Sequence, residues 1–127
     1  MRIEARRLIK QAERDLENAA KNIGIEAYEV AAFLAEQAVE KYLKAYWMIK
    51  KKEAAPHTHS LTELGDALGV PGDLRKHLVY LTADYTTSRY PDAANGVPYE
   101  IYDRETGQSK VAAGEALLTW LRKQTHA

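Results

Sequence analysis

Residues 33–47, FLAEQAVEKYLKAYW, limit the fold of this chain more than any other stretch. At 100° per residue, Glu36, Gln37, Glu40, Lys41 and Lys44 share an arc of roughly 140°. Leu34, Ala35, Ala38, Val39, Tyr42, Leu43, Ala45 and Tyr46 fill the opposite arc. A helix apolar around so much of its circumference has to be wrapped by several others, so this segment is expected to be the central helix of a bundle. Phe33 and Trp47 break the pattern. They project into or beside the charged wedge, about four turns and ~21 Å apart, where a small bundle has few elements to cover them. They are therefore the expected oligomer interface.

The flanking sequence supplies the wrapping helices. Between residues 3 and 23, Leu8, Ile9, Ala12, Leu16, Ala19, Ala20 and Ile23 lie on one face, and Gly24 ends the helix. The central helix is expected from near Glu26 to about Lys52, closed by Lys50, Lys51 and Lys52 at its negative end and by Pro56 beyond. Ser60-Leu61-Thr62-Glu63 has the form of a capping box, which opens a short third helix that ends at Gly69. Pro71 and Asp73 suit the first turn of a fourth helix, whose buried stripe is Leu74, Leu78, Leu81 and Tyr85. From Pro91 to about Thr106, two prolines and an Asn95-Gly96 turn without helical period predict a long loop holding Tyr99, Tyr102, Asp103 and Arg104. A last helix near 107–123 lines up Val111, Gly114, Leu117, Leu118 and Leu121, with small Ala112, Ala113 and Ala116 permitting close approach. The expected fold is all-α: a five-helix, up-and-down bundle with a long loop before the last helix, one domain over residues 1–127.

Composition narrows the function. Eighteen basic residues balance eighteen acidic ones, which removes the overall field of a protein that grips long nucleic acid, though a local patch remains open. The absence of cysteine excludes disulfides, thiolate metal sites and cysteine nucleophiles. The first residues, MRIEARRLIKQAERD, are charged throughout and no apolar run reaches spanning length, so the expectation is a cytoplasmic protein with no membrane partner.

No phosphate loop, zinc-protease helix or nucleophile elbow occurs. His57 and His59 could supply two metal ligands, but no third follows before Glu63, so no metal and no cofactor are expected. His59 directly precedes the Ser60 cap and could pack on Leu64 as a staple. Arg89 shares a face with Tyr85. A guanidinium aimed inward needs a carboxylate, a carbonyl or a bound anion, and Glu36, Glu40 and Asp92 are the candidate partners. Glu40 and Lys44, four apart in the favourable order, read as an exposed helix pair.

Taken in order, Gln37, Ala38, Glu40, Lys41, Leu43, Lys44 and Ala45, then His59, Ser60 and Leu61, then Arg89, Tyr90, Pro91 and Asp92 resemble the HEPN domain, named for its occurrence in eukaryotes and prokaryotes and its association with nucleotide binding. The resemblance covers nearly the whole chain. It implies a self-associating helical bundle, a homodimer or higher, that pairs with a minimal nucleotidyltransferase in a toxin–antitoxin-like system. Many such proteins are metal-independent ribonucleases whose motif is an Arg, four to six residues, then a His. Arg122 and His126 leave only three between them, and neither His57 nor His59 has an Arg at the required distance before it. The chain is thus expected to be a binding module for a nucleotide, another anion or a short RNA, with Lys41, Lys44, His59, Tyr85, Arg89, Tyr90 and Asp92 at the ligand or partner site and no catalytic residue assigned. The alternative is a ribonuclease with a nonstandard site, His59 or His77 acting as acid or base and Arg89 meeting developing charge.

Overall fold

The computed structural model describes residues 1–126. Three long helices make the frame: α1 (Ile3–Gly24), α2 (Tyr28–Lys51) and α8 (Arg104–Thr125). Between α2 and α8 lie α3 (Leu61–Leu68), α4 (Gly72–Thr82) and three single turns, α5 (Asp84–Thr87), α6 (Pro91–Ala94) and α7 (Pro98–Ile101). The described residues contain no strand.

Of the three long helices, α1 runs against the other two. A Cβ on Gly107, at the start of α8, would meet Ile23 and Tyr28, and one on Gly114 would meet Leu16 and Ala35. At the other end Thr125 Oγ1 lies 3.2 Å from Tyr42 Oη, and Arg122 grips Glu13. So α8 runs beside α2 in the same direction and against α1, and α4 packs on α3, α8 and α2. The expected central helix is central: Ala35, Ala38, Val39, Tyr42, Leu43 and Ala45 have no exposed surface. Leu61, Leu64 and Leu68 of α3, Leu78 and Leu81 of α4, and Leu117, Leu118 and Leu121 of α8 close around them.

Local chemistry explains the boundaries. Ser60 Oγ accepts from the Glu63 amide at 3.2 Å, as a cap should, but Glu63 does not return to Ser60. Thr58 takes that place: its hydroxyl donates to Glu63 Oε2 at 2.8 Å and accepts from the Ser60 amide at 3.1 Å. Gly69 then closes α3 at φ 76°, the left-handed conformation that glycine adopts without strain.

Two expectations need correction. The fourth helix does not continue to Arg89. It breaks at Ala83, where the Asp84 carboxylate turns away to Tyr102 and Lys110 and α5 begins. Nor is the stretch 91–106 a plain loop. Pro91 and Pro98 each open a new helical turn at its first position, where a missing N–H costs nothing, and the Asp103 side chain accepts from the Thr106 amide at 2.7 Å to cap α8 three residues earlier than 107.

Candidate functional site

Five of the residues that the sequence singled out, Phe33, His59, Tyr85, Arg89 and Tyr90, gather where α2, the segment before α3 and α5 meet. Tyr85, on α5, is half-buried and forms the centre. The His59 ring stacks on it, centroids 3.8 Å apart and planes within 13°. Phe33 approaches from α2 with its centroid at 6.5 Å. The Arg89 guanidinium lies 4.6 Å from the Phe33 and Tyr85 ring centres and 4.9 Å from that of Tyr90.

Arg89 contradicts the inward orientation expected of it. Its side chain is exposed and turns back on its own turn, where Nε and Nη2 both donate to the Tyr85 carbonyl. None of Glu36, Glu40 and Asp92 pairs with it. Asp92 sits exposed in α6, and among the described residues Arg89 has no carboxylate partner. A guanidinium in that setting keeps its charge on offer, with aromatic faces holding it flat.

His59 also departs from its expected role. Instead of stapling to Leu64, it stacks on Tyr85 and brings Nδ1 to 3.0 Å from Glu40 Oε1. A carboxylate only accepts, so the hydrogen bond is made with the proton on Nδ1. Half of the His59 side chain, 52 %, remains exposed. Lys44 Nζ holds the other oxygen of Glu40 at 3.3 Å, and with side chains only 19 % and 8 % exposed this is a largely buried pair, against the exposed one expected.

Lys41 belongs elsewhere. It reaches to α1 and pairs with the buried Asp15 at 2.6 Å, so it is spent on helix packing and takes no part in the cluster. Phe33 and Trp47 find cover within their own chain. Tyr85 and Arg89 lie over Phe33, while Trp47 packs against the core with Lys51 Nζ 4.9 Å from its ring centre. His77, half-buried on α4, lines a shallow cavity with Lys76, Tyr80 and Ser109 and touches none of these groups; burial holds its imidazole below the usual value. Among the described residues no three His, Asp or Glu side chains converge as a metal would require.

Beneath the surface cluster lies a polar layer that the sequence did not announce. Lys110 of α8 pairs with Asp84 Oδ2 at 2.8 Å, donates to the Tyr80 carbonyl at 2.6 Å and sits 3.5 Å from the Tyr80 ring centre. Tyr102 donates to Asp84 Oδ1 at 2.5 Å, and burial together with that carboxylate pushes its phenol well above the usual range. Glu36 is wholly buried, accepts from Gln37 at 2.8 Å through Oε1 and has no partner for Oε2 among the described residues. Burial, aided by the charges of Glu40 and Asp84, pushes its carboxyl up to about 8 against the Gln37 hydrogen bond, so it holds a proton at neutral pH. The links of Asp84 to Tyr102 and Lys110 were not legible, because they join residues far apart in the chain.

A family model for the HEPN domain matches residues 5–124. The chain belongs to the HEPN domain family. Among solved structures, this HEPN chain is similar to TT1696 from Thermus thermophilus, at 27% identity and a TM-score of 0.86 over 95% of this chain and 98% of that one. It is also similar to ST0689, an archaeal HEPN homologue, at 34% identity and a TM-score of 0.82 over 98% of both chains. A comparison with the curated proteins returns no match. The matches span the HEPN chain from α1 to the end of α8, so the cluster around Tyr85 sits within the shared fold. No described helix is long and apolar enough to cross a membrane.

Proposed function

We propose that this HEPN chain is an oligomeric binding module that holds a nucleotide, or another anion carrying a flat ring, at the Arg89–Tyr85–His59 surface, and that it works beside a minimal nucleotidyltransferase in a toxin–antitoxin-like pair. The observation that carries the reading is the guanidinium of Arg89, exposed, without a carboxylate and set among three aromatic rings. A phosphate takes such a fork bidentately, and a base can stack on the neighbouring rings. The partner half of the reading draws support from the segment that follows. Tyr90, Val97, Tyr99 and Ile101 are all exposed within a dozen residues of Arg89, apolar side chains that a protein partner would cover.

The test is calorimetric titration of the protein with ATP, inorganic phosphate and adenosine. The reading expects ATP to bind, and each fragment to bind more weakly because it carries only half of the recognition. Equal affinity for phosphate and ATP would remove the stacking part, and no binding of any of the three would remove the site.

One observation favours the ribonuclease alternative: His59 is half exposed and its Nδ1 lies against the Glu40 carboxylate, the orienting contact that a histidine acting as acid or base uses. Incubation with RNA in chelator, with His59→Ala as control, separates the two. The binding reading expects no cleavage, and cleavage that disappears in the variant would replace it.

A further inference from the structure

The outer face of α1 is left without a partner, and its charges are arranged in a self-complementary way. At 100° per residue, Arg6, Lys10, Glu13 and Glu17 fall within an arc of about 60°. Arg6, Lys10 and Glu17 are exposed and Glu13 is half-buried. Two cations are followed by two anions, and the midpoint between Arg6 and Glu17 is also the midpoint between Lys10 and Glu13, beside Gln11 and Ala12. Among the described residues neither Arg6 nor Lys10 has a carboxylate partner of its own, while Glu17 meets only the exposed Arg14, at 3.6 Å.

Resting on the reading that the module self-associates, we infer that the occupant of this face is the α1 of a second copy, lying antiparallel across a twofold axis that passes between Gln11 and Ala12. That single axis sets Arg6 of each copy opposite Glu17 of the other and Lys10 opposite Glu13, so Arg6 and Lys10 gain carboxylate partners at once and Glu13 gains a second cation beside Arg122. A twofold contact has to be complementary to itself, and this distribution of charge is. The chain supplies apolar cover as well. Along the same side, α1 and α8 diverge to leave a groove of about 570 Å³ floored by Leu16, Ala20, Ile23, Val111 and Ala112. The same axis carries Ile3 of one copy, 51 % exposed in the single chain, to the level of Ala20 of the other, on the side of the contact away from the groove. Glu13 joins this edge already anchored by Arg122 at 2.7 Å, which fixes the carboxylate for an incoming Lys10.

Sedimentation velocity at micromolar concentration tests this with Arg6→Glu and Glu17→Arg, both at exposed positions that leave the core untouched. The wild type is expected to be a dimer, and each single variant, which sets like charges opposite one another twice, to dissociate at least ~10-fold more readily. Mixing the two variants should restore a dimer, because one of the two contacts then carries the pair with its charges exchanged and the other is the native Arg6–Glu17 pair; no change within a single chain can produce that result. A wild-type dimer indifferent to both substitutions overturns the α1 surface and leaves self-association standing. So does a dimer lost on Trp47→Ala or Phe33→Ala alone, which would move the contact to α2. A wild-type monomer overturns both.

Discussion

At the scale of single residues, Arg89 and Glu36 carry the two sharpest expectations, for opposite reasons. Arg89 packs only at the surface: it is exposed, lies against the rings of Phe33, Tyr85 and Tyr90, and among the described residues its one hydrogen-bond acceptor is the Tyr85 carbonyl. Arg89→Ala should therefore shift the thermal midpoint by no more than a surface substitution does, about 0.5 kcal/mol in stability, while ATP binding falls at least ~10-fold. A variant that melts much earlier and loses binding only as it unfolds would make Arg89 a structural residue. Glu36 is the reverse case, buried and silent toward ligands. Its carboxyl titrates near 8 in the folded chain against an ordinary value of 4.5, so the folded state keeps a proton that the unfolded chain gives up. The sign follows: this contribution to stability is whole below the ordinary value and is lost as pH rises through about 8, at up to ~1.4 kcal/mol per pH unit across that window. Glu36→Gln keeps the shape and removes the titration, so denaturant unfolding between pH 5 and pH 9, run on both proteins at roughly equal steps, should show a flatter profile for the variant. Parallel profiles would mean that Glu36 is ionised in the fold.

At the scale of elements, α5, α7 and α8 are tied by Asp84, Tyr102 and Lys110, and this knot places Tyr85 and Arg89 at the surface. Lys110 and Asp84 have side chains only 9 % and 3 % exposed. Lys110→Met should cost about 3–5 kcal/mol, because it leaves the Asp84 carboxylate buried without its cation. Urea unfolding measures it, and a loss below ~1 kcal/mol would show that Tyr102 alone satisfies Asp84. The knot also marks how far the elements could be read in advance. Helices α1, α2, α3 and α8 follow from periodicity, the Ser60 cap and Gly69. The break at Ala83 does not, because Leu78, Leu81 and Tyr85 keep helical spacing straight across it, and its cause lies in Tyr102 and Lys110. Pro91 and Pro98 read as helix stops, yet a proline that ends one helix can equally begin another, and only the surrounding contacts decide. The same limit holds for the site. Arg89 and Tyr90 stood out in the SRYPD segment and Tyr85 in the stripe before it, but the helical phase turned Arg89 inward, where the structure has it exposed. That His59 stacks on Tyr85, and that Lys41 is taken up by Asp15, are contacts between distant parts of the chain that no local pattern encodes.

At the scale of the molecule, a chain with zero formal charge keeps its cations in distinct uses. Lys41, Lys110 and Arg122 lock helices together, Arg6 and Lys10 wait on the face of α1, and Arg89 stands alone among aromatic rings. The HEPN frame thus separates the surface proposed for a ligand, on α2 and α5, from the surface proposed for a second copy, on α1. Occupying one should leave the other free, so a dimer is expected to bind two ligands with equal affinity. The location of the ligand is the central claim, and amide chemical-shift mapping tests it most directly. On adding ATP to the labelled protein, the account predicts shifts concentrated at Phe33, His59, Tyr85, Arg89 and Tyr90, with the groove between α1 and α8 unmoved. Shifts centred on that groove, or none at saturating ATP, would contradict it.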